Sequence, residues 1–234
     1  MPAPNLPGHL VTTPQISVRG VIFDMDGLLL DSETLAMEAL ICAGRDLDCE
    51  LSRFFCERMI GVPEDGCAAL LRDTYGDAFP SERFFALQTE HLRHFIESGR
   101  LAMKPGVVPL LDLLDARHIP RAIATSSGRD RTEDQLRRVS LYDRFDAIVS
   151  HDDVTQGKPA PDPYLVAASR IGVAPELCLA LEDSANGAIA ALAAGMRVIV
   201  VPDLIQPADE VREKALAIVR DLFVARDYVM RYAR

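Results

Sequence analysis

Two aspartates, Asp24 and Asp26, stand two residues apart, directly behind the apolar run Val21-Ile22-Phe23 and ahead of Gly27. That spacing points both carboxylates the same way while the chain stays extended, and the glycine then permits a turn. One carboxylate of such a pair can attack an electrophile while the other moves protons. A second acidic pair, Glu182-Asp183, follows the apolar Cys178-Leu179-Ala180-Leu181 and precedes a stretch that reads as a short helix, Ala188 to Gly195. Four carboxylates in one crevice would repel and raise one another's pKa values unless a cation stood among them. Magnesium suits that place, because it takes hard oxygen ligands through a few carboxylates, waters and substrate phosphate. Taken singly, each pair has a plainer reading: a solvated strand end, or for Glu182-Asp183 an N-cap, with Ser184 competing for that role.

Two further segments carry chemistry. Thr125-Ser126-Ser127-Gly128 follows the strand-like Arg121 to Ala124 and leads into a polar helix, so its hydroxyls and free N–H groups form either an anion site or an ordinary helix cap. Lys158-Pro159 lies in the proline-rich loop Gly157 to Pro163. Only three lysines occur in the chain, Lys104, Lys158 and Lys214, against 25 basic residues in all. A compact ammonium can offset a buried carboxylate or phosphate at a point, although a solvent-facing loop lysine is the alternative.

Positioning these groups requires a sheet. Runs rich in β-branched and aliphatic residues fall at Val18 to Phe23, Arg121 to Ala124, Ala147 to Val149, Cys178 to Leu181 and Val198 to Val201, and after the first they alternate with helical stretches. This alternation predicts an α/β fold, a Rossmann-like doubly wound parallel sheet with helices on both faces, and open sheets of that kind bind ligands at the carboxyl ends of their strands. Nearly a hundred residues separate the first strand from the second, too many for one crossover. An inserted all-helical domain is expected there, with helices over Glu33 to Ala43, Leu51 to Arg58, Asp65 to Tyr75 and Ser81 to Ser98, Ser81 serving as an N-cap. The expected division is an N-terminal extension over 1–16, a core over 17–32 and 102–234, and a helical cap over 33–101 acting as a lid.

Composition narrows the function classes. With 234 residues, 49% of them hydrophobic, the chain can build a substantial core, and a net charge of -10 argues against nucleic acid and anionic membrane as partners. Five cysteines, Cys42, Cys49, Cys56, Cys67 and Cys178, without a CxxC pair, indicate neither a disulfide framework nor a zinc site. The opening MPAPNLPGHLVTTPQ lacks the charged and apolar regions of a signal peptide, and no apolar run reaches the length of a membrane span. The expected setting is the cytoplasm, the expected partner a small anionic metabolite, and the expected state a monomer or weak dimer.

The order of the four motifs, strand then DMDG, strand then TSSG, a KP loop, strand then ED, resembles the haloacid dehalogenase superfamily of phosphohydrolases over nearly all of Arg19 to Asp203. The branch it is similar to holds β-phosphoglucomutase and pseudouridine-5'-phosphatase, with a helical cap inserted after the first strand. The resemblance implies that Asp24 is the nucleophile forming an aspartyl-phosphate and that Asp26 is general acid and base. It also implies that Thr125 and the Ser126 backbone hold phosphate, and that Lys158 steadies the nucleophile and phosphoryl oxygens. Asp183 would join Asp24 and the Asp26 carbonyl around magnesium, with Glu182 behind it or acting through water; Asn186 matches a recurrent position of undefined role.

Within that resemblance, Asp26 speaks for phosphoryl transfer over dehalogenation. A mutase of this branch would carry an arginine in the cap loop and a histidine in the first cap helix, where this chain has Gly61-Val62-Pro63-Glu64-Asp65-Gly66 and Ala36. The expectation is therefore a magnesium-dependent phosphatase acting on a sugar phosphate or a nucleoside monophosphate such as pseudouridine 5'-phosphate. A sugar-phosphate mutase is the alternative, and an inactive phospho-ligand-binding relative a further one. Arg58, Glu64 and His91 are the cap residues expected to face the substrate.

Overall fold

The computed structural model describes residues 17–60, 62 and 64–233, Glu64 by its backbone only. The expected extension over 1–16 lies outside them, as do Gly61 and Pro63. Along the chain run β1 (Gly20–Phe23), α1 (Ser32–Asp46), α2 (Arg53–Glu57), α3 (Glu64–Tyr75), α4 (Ser81–Glu97), α5 (Val107–Ala116), β2 (Arg121–Ala124) and α6 (Arg129–Arg138). They continue with β3 (Ala147–Val149), α7 (Asp162–Arg170), β4 (Cys178–Glu182), α8 (Ala185–Ala193), β5 (Arg197–Val200), α9 (Asp209–Lys214), β6 (Ala217–Ile218) and α10 (Leu222–Tyr232).

All six strands pair in parallel, in the order β3-β2-β1-β4-β5-β6. Parallel strands covered on both faces are apolar on both, and the side chains of β1 divide accordingly. Val21 and Phe23 enter one core with Leu110, Leu114, Leu222 and Val229 of α5 and α10, while Ile22 enters the other with Tyr164, Ala167, Ala188 and Ala191 of α7 and α8. The same period of two sends Leu179 and Leu181 of β4 one way and Cys178 and Ala180 the other. Strand order reverses between β1 and β4, and a crevice opens at such a switch point beyond the carboxyl ends.

The insertion between β1 and α5 is helical, as expected, and has its own core of Met37, Leu51, Phe55, Cys56, Met59, Cys67, Leu71 and Phe84. Its two connections to the sheet lie side by side: Leu30 bridges Met103 in antiparallel fashion, Asp31 N–H donates to the Ala102 carbonyl and Lys104 N–H to that of Leu29. The cap therefore hangs on a two-stranded ribbon.

Several expected boundaries shift. Val18 and Arg19 precede β1, Val18 meeting Ala233 in an isolated bridge. Ser81 is not a cap: it is the first residue of α4, after Pro80, and its buried hydroxyl has no partner. Helix α1 runs on to Asp46, α2 is confined to Arg53–Glu57, and α8 begins earlier than expected, at Ala185. No disulfide joins any of the five cysteines, and Cys56, Cys67 and Cys178 are buried. No helix among the described residues is long and apolar enough to cross a membrane.

Candidate active site

Asp24 leaves β1 with its N–H bonded to the Leu181 carbonyl of β4, so the ladder continues up to the first aspartate. Thr125 ends β2 in the same way, its N–H donating to Val149. Glu182 is the last residue of β4 and Asp183 the next. Three adjacent strands thus deliver their chemistry to one edge.

Lys158 reaches in from its loop with a side chain only 4% exposed, its ammonium donating to Asp24 Oδ1 at 2.5 Å and to Glu182 Oε1 at 2.6 Å. Burial alone would lower the Lys158 pKa, but Asp24 and Glu182 outweigh it and push it up. The ring of buried Tyr164 lies 5.0 Å beneath the ammonium, and its hydroxyl donates to Glu182 Oε1 at 2.7 Å. The other Glu182 oxygen accepts from Asp183 N, Ser184 N and Ser184 Oγ at 2.9–3.1 Å. Both Glu182 oxygens are thereby committed. Although burial favours its neutral form, Lys158 holds this carboxyl below its usual range.

The remaining acids carry the excess charge. Burial, only partly opposed by Lys158 and reinforced by Glu182 and Asp26, lifts Asp24 to about 8, and burial with Asp24, Glu182 and Glu33 lifts Asp183 well above the carboxylate range. Oxygens of Asp24, Glu182 and Asp183 lie within 4.8 Å of one another. Two buried carboxylates with free oxygens and too little positive charge fit a hard divalent cation, which would restore both to the ionised state.

Asp26 faces elsewhere. Ser32 Oγ donates to its Oδ1 at 2.7 Å and Ser127 Oγ to its Oδ2 at 2.7 Å, while Arg131 approaches Oδ1 at 3.3 Å. The two aspartates of one motif therefore have distinct partners: Asp24 a buried ammonium, Asp26 two hydroxyls and a half-exposed guanidinium. A cavity of about 440 Å³ opens over them, lined by Asp24, Asp26, Thr125, Ser126, Lys158 and Asp183, and further by Glu33, Ile60, Asn186 and Ile205.

All seven site residues named from the sequence converge here, six in the cavity wall and Glu182 beneath Lys158. The expected cap residues do not. Arg58 lies over the Phe55 ring, and His91 pairs with Asp46 at 2.7 Å between α4 and α1; the side chain of Glu64 is outside the described residues. Among the described residues the cap contributes Glu33 and Ile60 to the wall. Ser32, Ser127, Arg131 and Tyr164 escaped the sequence reading, although Ser32 and Ser127 sit inside the DSE and TSSG segments already singled out.

Two glycines are required by close approach. A Cβ on Gly27, whose φ is +81°, would come within 2.3 Å of Asp183 Oδ2, and one on Gly187 within 1.6 Å of Glu182 Oε1. Ser184 caps α8 through the Gly187 N–H at 3.1 Å, which settles the capping competition in favour of Ser184. Gly187→Ala should expel Glu182 from beneath Lys158 and cost about 3 kcal/mol or more, as for a broken buried ion pair. Denaturant unfolding measures that loss, and unchanged stability would contradict this packing.

A family model for haloacid dehalogenase-like hydrolases matches residues 21–201. A Drosophila melanogaster protein named probable pseudouridine-5'-phosphatase is 36% identical over 196 residues, covering 80% of this chain and 82% of the relative. The phosphorylated carbohydrates phosphatase of Thermotoga maritima is 34% identical over 182 residues, covering 78% and 84%. Among solved structures, a haloacid dehalogenase family hydrolase from Deinococcus radiodurans with bound phosphate and sodium superposes with a TM-score of 0.81 at 26% identity, over 93% of this chain and 97% of that one. Sheet order, converging carboxylates and these matches agree: the chain belongs to the haloacid dehalogenase-like hydrolase family.

Proposed function

We propose that this chain, a phosphoric monoester hydrolase by family, is a magnesium-dependent phosphatase acting on a small phosphorylated metabolite, a sugar phosphate or a nucleoside monophosphate, through an aspartyl-phosphate. The observation that carries the reading is the Lys158 ammonium bridging Asp24 and Glu182 beside the free carboxyl of Asp183. An attacking carboxylate is there held by a point charge, beside a second buried carboxyl that the same ammonium does not neutralise. Residues 17–32 and 102–234 serve as the core and 33–101 as the cap.

Asp24 attacks phosphorus and the bond to the leaving oxygen breaks, Asp26 supplying the proton that oxygen needs. Asp26, now ionised, takes a proton from water, whose oxygen attacks phosphorus and frees Asp24 as phosphate departs. Thr125 and the Ser126 backbone hold phosphoryl oxygens at the end of β2, and Lys158 holds Asp24 in line. The Asp24 and Asp183 carboxylates and the Asp26 carbonyl would hold magnesium, and Glu182, with both oxygens engaged, keeps Lys158 in place instead. Bound there, the ion supplies positive charge against the phosphoryl oxygens and the buried acids.

The mutase reading finds less support. It needs a grip for a second phosphate, and among the described residues no arginine lines the cavity; Arg131, outside that lining, is engaged with Asp26. An idle relative is disfavoured by the complete set of Asp24, Asp26, Lys158 and Asp183. Phosphate release from a panel of phosphorylated metabolites tests the proposal. EDTA should abolish release and magnesium restore it, whereas undiminished turnover in EDTA would remove the metal from the account.

A further inference from the structure

One carboxyl in the cavity wall has no part in the proposed chemistry. Glu33 sits in the first turn of α1, just past the ribbon that carries the cap, and lines the cavity together with Asp24, Asp26 and Lys158. Among the described residues none donates a hydrogen bond to it. Burial, then Asp203 and Asp26, push its pKa up to about 7, Lys104 only partly opposing. A carboxyl that lines the cavity without a partner of its own can take a substrate hydroxyl as its hydrogen-bond partner.

The rest of the wall away from the phosphate end is aliphatic or uncharged. Ile60 comes from the cap, and Ile205, Gln206 and Pro207 come from the loop after β5. That loop is tied to the ribbon through Asp203, which accepts from Lys104 at 2.5 Å, and to the cap through Leu204, which packs against the cap's own core. Among the described residues the wall has no aromatic ring on which a base could stack and no arginine for a second phosphate. Lys158, at the phosphate end, is the one basic side chain among the described lining residues, so a second anionic group on the substrate would meet Glu33 with no lining cation to hold it.

We infer that Glu33 is a specificity-determining residue that hydrogen-bonds a leaving-group hydroxyl, so that the site takes the monophosphate of an aliphatic polyol or sugar and discriminates against nucleotides and bisphosphates. The inference rests on the phosphatase reading above and narrows its substrate class. Glu33 does no chemistry; it holds the carbon skeleton, with Ile60 and Ile205 along its apolar edge.

The test compares kcat/KM of the full-length wild type, Glu33→Ala and Glu33→Gln on a hexitol monophosphate, uridine monophosphate, a hexose bisphosphate and phenyl phosphate, which has no free hydroxyl. Wild type should favour the hexitol monophosphate over the nucleotide and the bisphosphate. In Glu33→Ala the preference for the hexitol compound over phenyl phosphate should fall ~10- to 100-fold, the cost of one hydrogen bond to a charged or polar partner. Glu33→Gln, which keeps a carbonyl acceptor, should recover part of it, and the magnesium concentration for half-maximal rate should stay that of wild type. A preference ratio unchanged in Glu33→Ala, or a parallel loss on every substrate with a raised magnesium requirement, overturns the inference, as does a wild type that favours uridine monophosphate. Absence of phosphate release by wild type from all four compounds would sink the phosphatase reading itself, a different failure.

Discussion

Asp24→Asn should leave a folded protein whose turnover is reduced by at least ~10⁴-fold, because the amide cannot form the acyl-phosphate and loss of a nucleophile removes the whole covalent route. The same change should have the opposite effect on stability. Without a divalent cation the folded chain keeps Asp24 protonated up to about pH 8, while the unfolded chain releases that proton near 3.8. An acid whose folded-state pKa is raised loses stability as pH climbs from the unfolded value toward the folded one. In EDTA, Asp24→Asn should therefore melt above wild type, with the gap widening toward pH 8. Added magnesium should close the gap by stabilising wild type more than the variant. Thermal melts at several pH values, with and without magnesium, read this directly; a variant that melts lower throughout would mean that Asp24 is not a strained charge.

Asp26→Asn should behave differently, and the difference follows from its partners. Ser32 and Ser127 each hold one oxygen of the carboxylate, and in the variant one hydroxyl can donate to the amide oxygen while the other accepts from the amide nitrogen, so the fold should survive. What goes is proton transfer, worth about 10²- to 10⁴-fold. The loss should depend on the leaving group. A sugar alkoxide needs Asp26 as acid to depart, whereas nitrophenolate leaves without a proton. With p-nitrophenyl phosphate the variant should form the aspartyl-phosphate at near wild-type rate and then stall, since water still lacks its base. Stopped-flow absorbance should show a burst of about one nitrophenolate per enzyme followed by a slow steady rate. Equal loss on alkyl and nitrophenyl esters, without a burst, would mean that Asp26 protonates nothing.

Much of this site was legible in the chain because each motif follows a strand, and parallel strands side by side must put their ends together. DMDG after β1, TSSG after β2 and ED after β4 needed only the sheet order to become neighbours. Lys158 was legible for a different reason, as one of three lysines in the chain, placed in a loop that prolines confine. What stayed hidden depends on distant pairing. Nothing in Glu33 or Ile60 distinguishes them from other cap residues until the ribbon of Leu30 and Met103 sets the angle at which α1 leaves the core. Arg58 and His91 looked suitable by residue type, yet one packs on a ring and the other pairs across two cap helices. Tyr164 reads as ordinary core on α7, and its hydroxyl became meaningful only when Glu182 was found above it. The short β6 and the helix α10 behind it lacked the length or contrast to declare themselves, although α10 packs with α5 in the core on one face of the sheet.

These readings share one premise, that the carboxylate held by Lys158 takes the phosphoryl group. Rapid acid quench of wild type during turnover of a phosphorylated substrate, followed by mass spectrometry of the peptide containing Asp24, tests it most directly. The account predicts one phosphoryl group on Asp24, formed within the first turnover, labile to hydroxylamine, and missing in Asp24→Asn. An enzyme that turns over with no covalent phosphate, or with phosphate on another side chain, would contradict it.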